Sequence, residues 1–153
     1  MQESRIQIGG GQNRNVLTVH YEGGSDQDFE RDPYAAPFRL RRLRVVKVLP
    51  AVGESSLTLY FDKSGNLFFA LDAGVDSLGT PYPLRPLSQL RLYFDGDRVI
   101  RVIVSGTSDD GEDSKTVDVD RATGADKKQA LAAGKAVVTR AQVLKQALET
   151  LSR

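Results

Sequence analysis

The chain reads as an α+β fold: a mostly antiparallel β-sheet of about six strands, hairpin-built, packed against one long C-terminal helix. Three observations predict this. The phrase Tyr-Phe-Asp occurs at 60–62 and again at 93–95, each time followed by a Gly-containing turn and a second apolar run. Segments between 15 and 49 alternate with the period of two that a pleated strand requires. Residues 126–151 lack proline and repeat apolar side chains at helical spacing.

Taken in order, residues 1–14 hold Gly9-Gly10-Gly11 and no periodicity beyond Ile6 and Ile8. They read as a flexible arm, or at most a short edge strand, ahead of a single domain at 15–153. In 15–22, Leu17, Val19 and Tyr21 oppose Val16, Thr18 and His20, a strand pattern rich in β-branched residues. Gly, Ser, Asp and two prolines make 23–37 a loop. A long strand candidate follows between Pro37 and Pro50. Its alternation slips once: Phe38 and Leu40 lie on one face, Leu43 and Val45 on the other, with Arg41-Arg42 at the switch. A bulge there would re-aim everything after it; two shorter strands meeting is the alternative.

The doubled phrase predicts two hairpins of one design. Leu57, Leu59 and Phe61 share a face, 62–66 turn, and Leu67, Phe69 and Leu71 share a face. Leu90, Leu92 and Phe94 share a face, 95–97 turn, and an almost wholly apolar strand runs 99–104, as a central strand covered on both sides would. Gly supplies the positive φ of each turn, and Asp stabilises it through its short side chain. Between the hairpins, Pro81, Pro83 and Pro86 force an irregular connection of a length that is often functional or mobile. After Ser105 the chain is polar and acidic, with a short strand expected at Val117 and Val119. Thr123-x-x-Asp126 resembles a capping box and opens the helix. Gly134 falls mid-helix, where it costs about 1 kcal/mol relative to Ala. It marks either a close approach to the sheet or a kink.

Composition narrows the function. At 153 residues, 40% hydrophobic and 27% charged, the chain is an ordinary globular domain. Twenty-one Lys and Arg against 20 Asp and Glu leave a net charge of +1, which argues against a strong grip on nucleic acid, so no nucleic-acid partner is expected. The absence of cysteine excludes disulfides, thiolate zinc sites and a cysteine nucleophile, and suits either a reducing or an oxidising compartment. No apolar run approaches the roughly 20 residues of a membrane span. Residues 2–15 are polar and Gly-rich, unlike a signal peptide. Met1 before Gln2-Glu3 reads either as an initiator in front of a mature secreted chain or as a native polar start.

The candidate chemistry is sparse. His20, the only histidine, lies mid-strand with only Glu22 as a local carboxylate, and reads as a strand-face residue. The acidic run 109–113, with Asp118 and Asp120, does not follow calcium-loop spacing and reads as a solvated loop. Gly9-Gly10-Gly11 lacks the Lys-Ser/Thr of a phosphate loop. No metal and no cofactor is therefore expected. Arg39, Arg41, Arg42 and Arg44, with Lys47, form a basic cluster. It suits an anionic ligand or acidic partner, or else serves as edge charge against aggregation. The acidic 109–120 stretch is one intramolecular counterpart for it. Tyr60, Phe68, Tyr82 and Tyr93 are candidates to line a ligand groove, Tyr60 and Tyr93 lying opposite the Leu/Phe face of their strands. Core or cross-strand packing is the alternative.

The stretches 60–69 and 93–102, followed by the Lys-containing helix, resemble small uncharacterised exported bacterial proteins that carry a YFD-x-G-x-L-x-F phrase, then a YF-x-DGKLIR-hydrophobic phrase, and a C-terminal helix. The resemblance covers roughly half the chain. It implies a periplasmic or extracellular setting, with the cytoplasm as the alternative, and no assigned reaction. The N-terminal region departs from that group.

The reading is a non-enzymatic binding or interaction module for a protein or small-molecule ligand. The alternative is a small carboxylate-dependent hydrolase or isomerase with its site in a sheet cavity. An interior Asp or Glu beside an aromatic cavity discriminates for the enzyme. A third reading is a subunit that forms a homodimer through an edge strand or the helix.

Overall fold

The computed structural model describes residues 2–8, 15–23, 40–49, 53–62, 64–74, 88–108 and 111–151. They form β1 (Gln2–Ile8), β2 (Asn15–Gly23), β3 (Leu40–Leu49), β4 (Gly53–Phe61), β5 (Leu67–Gly74), β6 (Ser88–Asp95), β7 (Arg98–Ser108), β8 (Gly111–Asp118) and α1 (Gly124–Leu151). Among the described residues the architecture is α+β: one antiparallel sheet followed by one helix. The eight strands lie in the sheet in chain order, each pairing with its sequence neighbours. Hairpin-by-hairpin construction produces this meander, because each turn returns the chain directly beside the strand just made. Six strands are counted from the alternating patterns alone. Gln2–Ile8, paired with β2 from Gln2↔Tyr21 to Ile8↔Asn15, adds one at the edge. Gly111–Asp118 adds the other, longer than the Val117–Val119 signal and drawn from a stretch that reads as acidic loop.

The phase slip in the third strand has a direct counterpart. Glu22 pairs with Arg42 but Gly23 pairs with Leu40, so Arg41 is the extra residue and β3 continues through the bulge as one strand. Both Tyr-Phe-Asp hairpins carry a bulge as well. Phe61 pairs with Leu67 and Tyr60 with Phe69, leaving Phe68 extra. Phe94 pairs with Val99 and Tyr93 with Arg101, leaving Ile100 extra. A bulge turns the rest of its strand over. Phe69 and Leu71 therefore do not share the face of Leu67, as simple alternation predicts; Ala70 and Asp72 do. In the same way Val99 and Val102 both reach the core although three positions apart, while exposed Arg101 faces the opposite side. The apolar run 99–104 is thus covered by the helix on one side only, and its continuous hydrophobicity reflects the bulge.

The core lies between that face and α1. Leu43, Leu57, Leu59, Leu90, Leu92 and Val102 are fully buried on the sheet, and Ala130, Ala133, Val137 and Ala141 meet them from the helix. Small residues on the helix allow it to come close. A Cβ at Gly134 would lie 2.5 Å from Val99 Cγ1, so the glycine marks close approach to β7. Side-chain contacts give the path of the helix across the sheet. At its start, Asp126 Oδ1 accepts a 2.7 Å hydrogen bond from Lys115 Nζ on β8, a carboxylate placed where the helix dipole favours it. Towards its end, Lys145 Nζ donates to Gly65 O at 3.1 Å and stands 5.7 Å from the Phe61 ring centroid. No helix among the described residues is long and apolar enough to cross a membrane.

Candidate functional site

The face of the sheet turned away from α1 carries the candidate site. Register alone places six side chains in one row across six strands: Arg42 beside Tyr60, then Phe69, Tyr93, Arg101 and Asp118. Two of the three bulges build this row. Without the extra Phe68, Phe69 would point into the core, and without the extra Ile100, so would Arg101. The three central aromatics are half-buried and in contact: Tyr60 and Phe69 have ring centroids 5.5 Å apart, Phe69 and Tyr93 5.0 Å. Both pairs are tilted, at 46° and 54°. Such cross-strand aromatic pairs add about 0.5–1.5 kcal/mol beyond the area they cover. Phe68, 47% exposed at its bulge, stands 6.4 Å from Tyr60 and extends the aromatic surface.

Beyond Tyr93 the row runs into a cleft of about 410 Å³, lined by Tyr93, Ile100, Arg101, Asp118, Asp120 and Arg121. The turn after β8 shapes it. Val119 N donates to Ile100 O at 3.0 Å, and Arg121 N and Ala122 N both donate to Asp118 O, at 3.1 and 2.8 Å. This compact turn holds Asp118, Asp120 and Arg121 on one rim. Arg101 Nε donates to Asp118 Oδ1 at 2.8 Å, and Arg98 Nη1 to Asp120 Oδ1 at 3.2 Å. The Asp118 carboxylate raises the Arg101 pKa above its ordinary value, first through the hydrogen bond and then through its charge. These pairs are solvent-facing and add little to stability, so their use is chiefly to orient the groups. The cleft mixes fixed donors, fixed acceptors, one aromatic face and one aliphatic wall.

The basic cluster is only partly assembled here. Arg42 and Arg44 stand on the far face of β3, Arg42 in the aromatic row and Arg44 3.8 Å from Glu54. Arg41 occupies the bulge, and Arg39 and Tyr82 lie outside the described residues. Asp118 and Asp120 engage Arg101 and Arg98 of β7. Tyr60 and Tyr93 do come together, through Phe69. Sequence reasoning missed Phe69 and Arg101, and it reads Asp118 and Asp120 as part of a solvated acidic loop where the structure puts them on the rim of the cleft. Arg101 had one visible mark, as the lone charge inside an apolar run. No group of His, Cys, Asp and Glu suited to a metal ion occurs among the described residues. No family model matches the chain, and neither does any curated protein or solved structure.

Proposed function

We propose that the chain is a non-enzymatic binding module whose ligand lies on the far face of the sheet, across Tyr60, Phe69 and Tyr93 and into the cleft beyond them. The observation that carries this reading is the aromatic row itself. Its rings point away from the apolar core, which is complete without them, yet they form an unbroken surface that ends at a cleft with charged rims. Ligand sites join apolar area to a few fixed polar groups in the same way. A periplasmic or extracellular setting goes with the proposal on the strength of the doubled Tyr-Phe-Asp phrases.

The hydrolase alternative needs an interior carboxylate beside a cavity. Asp72 is fully buried, but register sets it between Leu57 and Leu90 on the helix-facing side, away from the cleft. Asp118 and Asp120, inside the cleft, are engaged by arginines. A proton-donating carboxylic acid needs apolar surroundings instead.

With five tyrosines and no tryptophan, the protein reports on this face through its own tyrosine emission. A titration series covering neutral oligosaccharides, peptides and single-stranded oligonucleotides is expected to find one class that changes the emission. Phe69→Ala and Tyr93→Ala should each weaken that ligand about fivefold or more, as the loss of a stacking contact worth 1–3 kcal/mol does, with circular dichroism unchanged. A ligand that binds both variants as well as the parent, or no responding class at all, removes the proposal.

A further inference from the structure

Resting on that reading, we infer that the ligand is a neutral oligosaccharide. The argument starts from charge. Four of the six cleft residues are charged, two arginines and two aspartates, and Arg101 is already closed onto Asp118 at 2.8 Å. An anionic ligand gains from the guanidiniums but meets both carboxylates, and a cation meets the reverse. A balanced rim selects against both.

It suits hydroxyl groups. A carboxylate only accepts hydrogen bonds and a guanidinium only donates, whereas each sugar hydroxyl does both. Neighbouring hydroxyls of one ring can give to Asp118 or Asp120 and receive from Arg101 or Arg121 without stranding a polar atom. The C–H face of the same ring then lies against Tyr93 and Ile100. Phe69 and Tyr60 continue the aromatic surface for further units, so the site is longer than a single sugar.

Single-stranded nucleic acid also stacks on aromatic rings, but it needs a positive groove to follow its phosphates. The cleft offers none; Arg42 and Arg91 add positive charge on the same face, and the salt dependence of binding separates a phosphate track from a sugar site. A peptide that adds a strand takes a sheet edge, whereas this row crosses the middle of the strands, and a proline-rich peptide laid on the rings offers carbonyl acceptors but few donors for the two aspartates.

The test uses short soluble glucan, mannan and chitin oligosaccharides, followed by tyrosine emission and calorimetry at low and high salt. Binding should occur for at least one, with its affinity changed less than about twofold by salt, because an uncharged ligand has no screened attraction to lose. Asp118→Asn and Arg121→Gln should each weaken it several-fold or more, as loss of a charged hydrogen-bond partner does. No new reducing ends should appear. Arg121 is exposed, so its substitution does not threaten the fold.

If the row-dependent ligand is instead an oligonucleotide or anionic polymer whose affinity falls with salt, the sugar inference fails and the binding reading stands. Sugar binding indifferent to both cleft variants also overturns the inference. Should no ligand of any class depend on Phe69 and Tyr93, both fail together.

Discussion

The two Tyr-Phe-Asp hairpins share a backbone plan and differ in what it presents. In β4–β5 and in β6–β7 the register shifts at the same place, between Tyr and Phe, with the extra residue on the returning strand. Phe61 and Phe94 are buried to the same degree, at 6% exposure, and Leu59 and Leu92 are both fully buried. The residue after the bulge then diverges: Phe69 in the first hairpin, Arg101 in the second. One contributes stacking surface and the other a charged donor held by Asp118. The turns diverge too. The first is a longer loop in which Asp62 Oδ1 accepts from both Ser64 N and Asn66 N at 2.9 Å. The second has two residues between Asp95 and Arg98, with Gly96 at φ 62° supplying the left-handed position a tight hairpin requires. A single device, a register shift between Tyr and the turn-proximal Phe with the extra residue on the returning strand, thus serves two chemistries.

This equivalence can be broken most forcefully in the core. Phe61→Ala and Phe94→Ala should each cost about 3–5 kcal/mol, read by denaturant unfolding. A cost confined to one of them would show that the hairpins do not share the core equally. Gly134 tests whether α1 is seated specifically on the second hairpin. Gly134→Ala gains about 1 kcal/mol in helix propensity but drives a methyl into Val99, an overpacking that costs about 1–3 kcal/mol. The expected outcome is a lower melting temperature, and a rise would mean the approach to β7 is looser than described. The smallest effect sharpens the difference between the turns. Asp62→Ala removes two backbone-to-carboxylate hydrogen bonds and should destabilise by about 1–2 kcal/mol, with amide exchange rising first in β4–β5. Asp95→Ala should stay within about 0.5 kcal/mol, since Gly96 and the strand pairing define that turn.

What could be read from the residues depended on contrast between neighbours. The bulge at Arg41 was legible because Leu40 and Leu43 are apolar and the residues between them are not, so the phase change shows. The bulges at Phe68 and Ile100 were silent. Leu67, Phe68 and Phe69 are all apolar, as are Val99 and Ile100, and a slip inside a uniform run leaves no trace. Simple alternation consequently puts Phe69 on the core face and reads 99–104 as doubly covered. Tyr60 and Tyr93 were placed opposite the core because both sit before any slip. The Arg101–Asp118 pair, 17 residues apart, comes from β7–β8 pairing, and the polar run that becomes β8 looks like loop because its edge position asks for little apolar content.

The hydrogen bond from Lys145 to Gly65 spans 80 residues, whereas every strand lies against its immediate predecessor. Sheet growth can therefore advance strand by strand in the order of synthesis, and because closure entropy grows only slowly with loop length, the longer connections before β3 and β6 add little to the barrier at those steps. Until α1 arrives, the apolar side of that growing sheet lacks the helix that packs on it. The helix acts as a final latch, and the interval before it closes is when the nascent chain is most exposed to aggregation.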